Sequence, residues 1–247
     1  RGLVAVLDVQ DWLSYRWTGA LATTTSFAWQ SGLTPGKHSI ERWDPAKVDG
    51  VGLTSGQLPP VMPGYQRVGI LQEELVRETG LPRGTWFMAG TTPVAARLWL
   101  ACEPTAGQRI IMLDQSGARG WRVVAGSDFD ESVAGALPAP HGDHWYLPET
   151  DSVADPRKGD APDPEAIYDS ADDASALDWD VDADHVHVSA DFAQPSRGPA
   201  LLAGVGLGWF KDMKPFWRKR CPIQTLAQWR QSAESADPQT TEQDETS

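Results

Sequence analysis

Several short stretches of this chain place hydroxyl, carboxylate or imidazole groups where they could do chemistry. Gly90-Thr91-Thr92 stands directly before Pro93 and an apolar run. Two hydroxyls and the backbone N–H groups of the turn would then lie at a helix N-terminus, where anions bind readily. The same residues suit an ordinary helix cap, because Pro at the first helical position loses only an N–H that would have no partner anyway. On the residues alone the cap is the stronger reading. His141, Asp143 and His144 offer metal ligands, but no further His or Cys follows at ligand spacing, so a surface loop is expected. The alternate aspartates from Asp178 to Asp184 suggest calcium by charge. An EF-hand loop needs Gly at its sixth position and a bidentate Glu at its twelfth. Ala183 and Ser189 stand there instead. His185 and His187 would share one face of a strand, which a solvated edge explains as well as a weak metal site. No metal site is expected.

Two further motifs favour packing and charge balance. Gly204, Gly206 and Gly208 are spaced by two, unlike the G-x-G-x-x-G dinucleotide loop, and follow an apolar run that reads as helix. Small residues there would let the helix lie close to a neighbour. Lys211, Lys214, Arg218, Lys219 and Arg220 interleave with Phe210, Phe216 and Trp217. Such a patch could meet nucleic acid or an anionic membrane, but in so acidic a chain it more plausibly pairs with the molecule's own carboxylates.

The elements that must hold these groups can be read from spacing. Over Tyr65–Gly80, Val68, Leu71, Leu75 and Val76 recur at helical spacing, and Gly80-Leu81-Pro82 ends that helix. Leu58–Gly64, rich in proline, should be extended. Thr85–Ala89 reads as a short buried strand, and Val94–Ala101 as an apolar helix after a tight turn. Arg109–Gly117 and Gly120–Gly126 form a candidate hairpin, with His141–Leu147 a further strand. Between residues 148 and 191 acidic residues crowd, opposed only by Arg157 and Lys158, and a poorly ordered loop is expected. Its end, Asp178–Val188, alternates polar and apolar residues and reads as an exposed strand. Residues 231–247 are polar and read as a disordered tail.

Composition bounds the function. A chain of 247 residues with 40% hydrophobic residues and twelve Trp can bury a core. A formal net charge of −13 argues against a general nucleic-acid binder, whose affinity comes from clustered Lys and Arg. No apolar run approaches the roughly 20 residues needed to cross a bilayer. Cys102 and Cys221 lie far apart without a CxxC, which fits two free thiols in a reducing cytoplasm better than a disulfide.

One order of motifs says more than any of them singly. Asp11–Gly19 reads DWLSYRWTG, Leu58–Thr85 reads LPPVMPGYQRVGILQEELVRETGLPRGT, and Ala89–Ala101 reads AGTTPVAARLWLA. In that order they resemble the FGGY-family carbohydrate kinases, most closely the D-ribulose/D-xylulose kinase-like branch. Ala203–Phe210 resembles the small-residue helix near that family's C-terminus. The resemblance implies an α/β protein with an incomplete ribonuclease H-like (actin-like ATPase) fold. Residues 1–101 would be the latter part of the sugar-binding domain, and 102–230 a shortened ATP-binding domain with an acidic loop at 148–191. It implies ATP and magnesium as cofactors and a pentulose or related sugar as substrate. Gly90, Thr91 and Thr92 would form the sugar- and phosphate-side turn, and Gln115, Ser116 and Gly117 the ATP-phosphate turn.

The departures matter as much. The family turn carries a carboxylate after its threonines, the base that accepts the sugar hydroxyl proton, and here Pro93 occupies that place. Asp114 would bring negative charge beside triphosphate. Pro148-Glu149-Thr150-Asp151 stand where the family has glycines, and no Asp-x-Gly-Thr hairpin or Gly-Gly-Gly turn is found. Three readings follow: a degenerate kinase inactive alone, a pseudokinase that binds sugar or a partner, or a kinase completed by a companion chain.

Overall fold

The computed structural model describes residues 5–101, 103–114, 117–140, 143–151, 153–170, 182, 184–189, 197–210 and 223–236. The chain opens with α1 (Val9–Thr18), capped by Asp8, which accepts from the Gln10 N–H, and ended by Gly19 in the left-handed conformation at φ 78°. β1 (Thr23–Thr24) leads into α2 (Thr25–Gln30), with the Thr24 hydroxyl accepting from the Phe27 N–H. α3 (Pro45–Gly50) begins on Asp44 with Pro at its first turn. β2 (Val61–Met62) then pairs in parallel with β1. The proline-rich stretch around it is extended, as its donors and dihedrals require.

The helix expected over Tyr65–Gly80 is corrected by the structure. Its first half is β3 (Arg67–Ile70), which pairs antiparallel with β4 (Trp86–Met88); only Glu73–Thr79 is helical, as α4. Tertiary pairing overrides helical spacing here, and Gly69, a poor helix former, sits within the strand. Gly80 does cap α4 at φ 71°. β4 is a strand as expected but not a buried one, since Trp86 is 42% exposed.

α5 (Pro93–Ala101) delivers the chain to a seven-stranded sheet. Its strands are β5 (Arg109–Asp114), β6 (Gly117–Ala125), β7 (Leu137–Pro138), β8 (His144–Pro148), β9 (Ala166–Ser170), β10 (His187–Ser189) and β11 (Ile223–Thr225). The order across the sheet is β11-β10-β9-β5-β6-β8-β7. β5, β6 and β8 run antiparallel in sequence, while β9 and β10 lie parallel to β5 on its other side.

Period-two alternation splits this sheet between two cores. Ile110, Met112, Val123, Tyr146 and Ile167 face α5 and α6 (Arg197–Gly206), with Trp99 and Leu202 fully buried between them. Ile111, Leu113, Tyr168 and Val188 face the opposite side, against Leu226 and Trp229 of α7 (Leu226–Ala236). α5 and α6 approach closely: a Cβ on Gly198 would lie 2.8 Å from the Ala96 carbonyl oxygen. Gly206 is tighter still, packed on the Tyr65 backbone, so the glycines of this helix serve packing. A third core joins Trp29 and Ile40 to Phe129 and Trp145, with the Trp29 indole N–H donating to the Ala136 carbonyl at 2.8 Å.

Two more expectations need correction. The acidic stretch 148–191 is not one loop, because β9 and β10 are interior strands of the sheet. Val186 and Val188 are 2% and 0% exposed, so that strand is not an exposed one. The acidic residues hid it, and the fold neutralises several of them. Arg109 reaches Glu149 at 2.6 Å and also Asp163, and Arg157 meets the buried Asp155 at 2.9 Å. Residues 231–236, expected to be disordered, are the last turns of α7. Cys102, Cys221, Lys211–Arg220, His141 and residues 237–247 lie outside the described residues.

Candidate functional site

The Gly90-Thr91-Thr92 turn is held from both sides. Gly90 takes φ 77°, a left-handed conformation suited to glycine, and its N–H donates to the Gly64 carbonyl at 2.8 Å. Gln10 of α1 donates through Nε2 to the Ala89 carbonyl. The Thr91 hydroxyl shares a buried 2.8 Å hydrogen bond with the Ser26 hydroxyl of α2. The Thr92 hydroxyl accepts from the Ala95 N–H at 3.3 Å, and its carbonyl accepts from the Ala96 N–H at 2.9 Å. Thr92 is thus the cap of α5, with Pro93 at the first helical position. Thr91 and Thr92 are 7% and 5% exposed. Both hydroxyls are spent inside the protein, and neither is presented to a ligand.

Around the turn lies a cluster of buried polar residues: Asp11, Ser14, Thr23, Thr24, Thr25 and Ser26. Asp11 is its carboxylate, 4% exposed. Burial pushes its pKa up to about 6, opposed by a hydrogen bond from the Thr23 hydroxyl. Sequence reading passed over Asp11 and Ser26. The run of four hydroxyls Thr23–Ser26 was the visible signal, since so many adjacent hydroxyls must find partners when buried. Asp11 cannot meet an outside hydroxyl without α1 moving away.

The second turn joins β5 to β6. Gln115 and Ser116 lie outside the described residues. Gly117 follows at φ 128°, and Lys158 Nζ lies 4.0 Å from where its Cβ would stand. That ammonium is shared with the Asp155 carboxylate, 3.7 Å away. At the end of the neighbouring β9, Asp169 is buried and paired at 3.2 Å with Arg97 of α5. Both charges are therefore already matched. Among the described residues no group of three His, Cys, Asp or Glu side chains gathers to hold a metal. His185 bonds through Nδ1 to Asp182 at 2.8 Å in an exposed turn, while His187 lies in β10.

No protein-family model and no curated protein matches the chain. Solved structures do. A ligand-bound xylulose kinase from Lactobacillus acidophilus superposes with a TM-score of 0.65 at 12% identity, over 94% of this chain and 68% of that one. The chain has the fold of the sugar kinases. Plasmodium falciparum glycerol kinase with ADP shares this sugar-kinase fold at a TM-score of 0.63 and 10% identity, over 94% and 66% of the two chains. A xyloylose kinase from Brucella ovis gives 0.51 at 19% identity, over 59% and 30%. These neighbours are carbohydrate kinases of the FGGY type, as the resemblance implied. The chain spans about two thirds of the first two and less than a third of the last. The five strands β8-β6-β5-β9-β10 give the sugar-kinase fold its ribonuclease H-like core, three antiparallel and then two parallel to the first. No helix among the described residues is long and apolar enough to cross a membrane.

Proposed function

We propose that the chain is a carbohydrate kinase-like protein that does not, on its own, carry out ATP-dependent phosphorylation of a pentulose or related sugar. The observation that carries this reading is the sealed turn at Gly90–Pro93. Phosphoryl transfer to a sugar needs a carboxylate to accept the hydroxyl proton as that oxygen attacks, with cations and backbone donors around the phosphoryl group. Proline follows the threonines, and both hydroxyls are already bonded to the protein. Losing a positioned base alone costs about 10²–10⁴ in rate.

A second reading, a non-catalytic module that binds sugar or a partner, is favoured by the aromatic side chains exposed on α1. A companion chain that completes a working kinase belongs with it, and a cytoplasmic location suits both readings. The test is ADP release with a panel of pentuloses, run beside Pro93→Asp. Neither protein is expected to exceed the rate without enzyme, because the threonine hydroxyls beside a restored carboxylate stay bonded within the protein. Pentulose-dependent turnover by the unmodified chain would sink the proposal. A thermal shift with pentuloses or ATP separates the binding module from an inert one.

A further inference from the structure

α2 is too short to stand by itself. Its six residues fall below the roughly 12 that an isolated helix needs in water, and Thr25, Ser26, Phe27 and Trp29 are weaker helix formers. No acidic residue opens it and no basic one closes it. Its place is therefore set by what it touches. Ser26 and Trp29, three residues apart, share one face. Ser26 is buried and bonds the Thr91 hydroxyl at 2.8 Å. Trp29, further along the helix, reaches the edge of the seven-stranded sheet.

That edge is built to receive it. The Trp29 indole N–H donates to the Ala136 carbonyl at 2.8 Å, beside β7. Its ring meets Trp145 of β8 at 4.7 Å and Phe129 at 5.7 Å, both edge-on. Phe129 and Trp145 are buried and stacked on each other, with centroids 4.2 Å apart. Phe129 comes from the stretch between β6 and β7, so the ring cluster also ties that stretch to the sheet. Lys37, following α2, donates to the Phe129 carbonyl. Gly36 packs as closely, since a Cβ there would lie 2.7 Å from the Glu131 Oε2. β1, directly before α2, adds only a two-residue pair with β2. Two ring pairs and an indole hydrogen bond at the Trp29 end outweigh one neutral hydroxyl pair at the Ser26 end.

We propose that α2 is a latch over the Gly90–Thr92 turn, and that Trp29 holds it shut from the edge of the sheet. The latch rests on reading the chain as kinase-like with a sealed turn. Trp29 is a positioning residue that acts through Ser26. While the ring cluster is intact, the Thr91 hydroxyl stays closed off. When Trp29 leaves the cluster, α2 loses what keeps it helical and Ser26 comes away from Thr91. Access to the turn is thereby set from β7 and β8, far along the chain.

The test is hydrogen–deuterium exchange of the full chain, read by mass spectrometry over peptides 25–32 and 89–97 and over β5 and β9. In 89–97 the reporting amides include Ala95 and Ala96, bonded to the Thr92 hydroxyl and carbonyl. Trp29→Ala should speed exchange in both peptides by about tenfold or more, with β5 and β9 unchanged. Trp29→Phe keeps a ring and loses the indole N–H, and should fall between that variant and the parent. Ser26→Ala should speed 89–97 while the ring cluster keeps its protection. Circular dichroism checks folding, and if Trp29→Ala does not fold, Trp29→Phe against the parent carries the test. A turn indifferent to the Trp29 substitutions overturns the proposal. So does an equal rise across β5 and β9, which would make Trp29 an ordinary core residue. Sugar turnover is not part of this readout. Turnover by the unmodified chain would sink the inactive reading, whereas a turn indifferent to Trp29 sinks the latch alone.

Discussion

α1 and α5 have nearly the same length and opposite relations to the rest of the molecule. α5 buries Ala95, Ala96, Leu98, Trp99, Leu100 and Ala101 against strands and a helix of this same chain. α1 buries Asp11 and Ser14 and leaves its aromatic side chains in solvent. An apolar helix face is stable in water only when something removes it from water. For α5 that something is present, and its contacts make the seven-stranded sheet a core. For α1 the partners are mixed: Gln10 bonds the Ala89 carbonyl, Asp11 is buried, and Trp17 meets the Phe87 ring edge-on at 5.4 Å. Charge divides the same way. Residues 1–101 hold nine Lys or Arg against eight Asp or Glu, leaving 12 against 26 for the remainder. The nearly neutral part carries the exposed aromatic side chains of α1.

The contrast is sharpest at two tryptophans. Trp99→Ala removes a side chain with no exposed surface, and a loss of about 3–5 kcal/mol is expected from urea unfolding. A loss below about 1 kcal/mol would mean that α5 is not part of the core. Arg97→Leu comes next. It takes the guanidinium from Asp169, which is 5% exposed and paired with Arg97 at 3.2 Å. Leaving a buried charge without its partner costs about 3 kcal/mol. Asp169→Asn together with Arg97→Leu should recover part of that loss. No recovery would show that the two residues act independently.

The polar interior of α1 predicts the opposite sign. Its Asp11 pKa is raised to about 6 from 3.8. The folded state therefore holds a proton that the unfolded state has lost, and stability falls as pH rises between these values. Above pH 6 the ionised group costs about 2–3 kcal/mol, at about 1.4 kcal/mol per pH unit of displacement. Asp11→Asn removes the charge while its amide can still accept from the Asp8 N–H and bond Thr23. The variant should be more stable than the parent at pH 7.5, with the gap closing as pH falls toward 4. A gap that does not change with pH would separate the effect from ionisation.

The sheet was far more legible in the sequence than the polar cluster. Arg109–Gly126 announced itself because alternation and a polar turn are local signals that burial on two faces does not disturb. α5 did so through a cap, a proline and an apolar run. β3 was misread because Val68, Leu71 and Leu75 satisfy a helical period, and only pairing with Trp86–Met88, some 20 residues away, decides otherwise. β9 was missed since Ala166–Tyr168 is short and flanked by carboxylates whose countercharges, Arg97 and Arg109, come from distant positions. At the turn, Thr92 and Pro93 disclosed the cap. That Thr91 is closed off by Ser26, 65 residues away, is tertiary information.

The two smallest effects close the comparison from the α1 side. Ser26→Ala leaves the buried Thr91 hydroxyl without its partner, which should cost about 1–2 kcal/mol. Pairing it with Thr91→Val removes both polar groups, so the double variant should lie closer to the parent than the two single losses added. Trp12→Ala should be smaller than any of these. Half of its surface already meets water, and substitutions at such sites stay within about 0.5 kcal/mol. The Arg16 guanidinium lies 5.8 Å from its ring centroid and adds at most about 1 kcal/mol at an exposed site. A loss near that of Trp99→Ala would mean that the outward face of α1 is already covered within this chain. A loss near zero means that Trp12 contributes almost nothing to the fold, in keeping with the half of its surface that meets water.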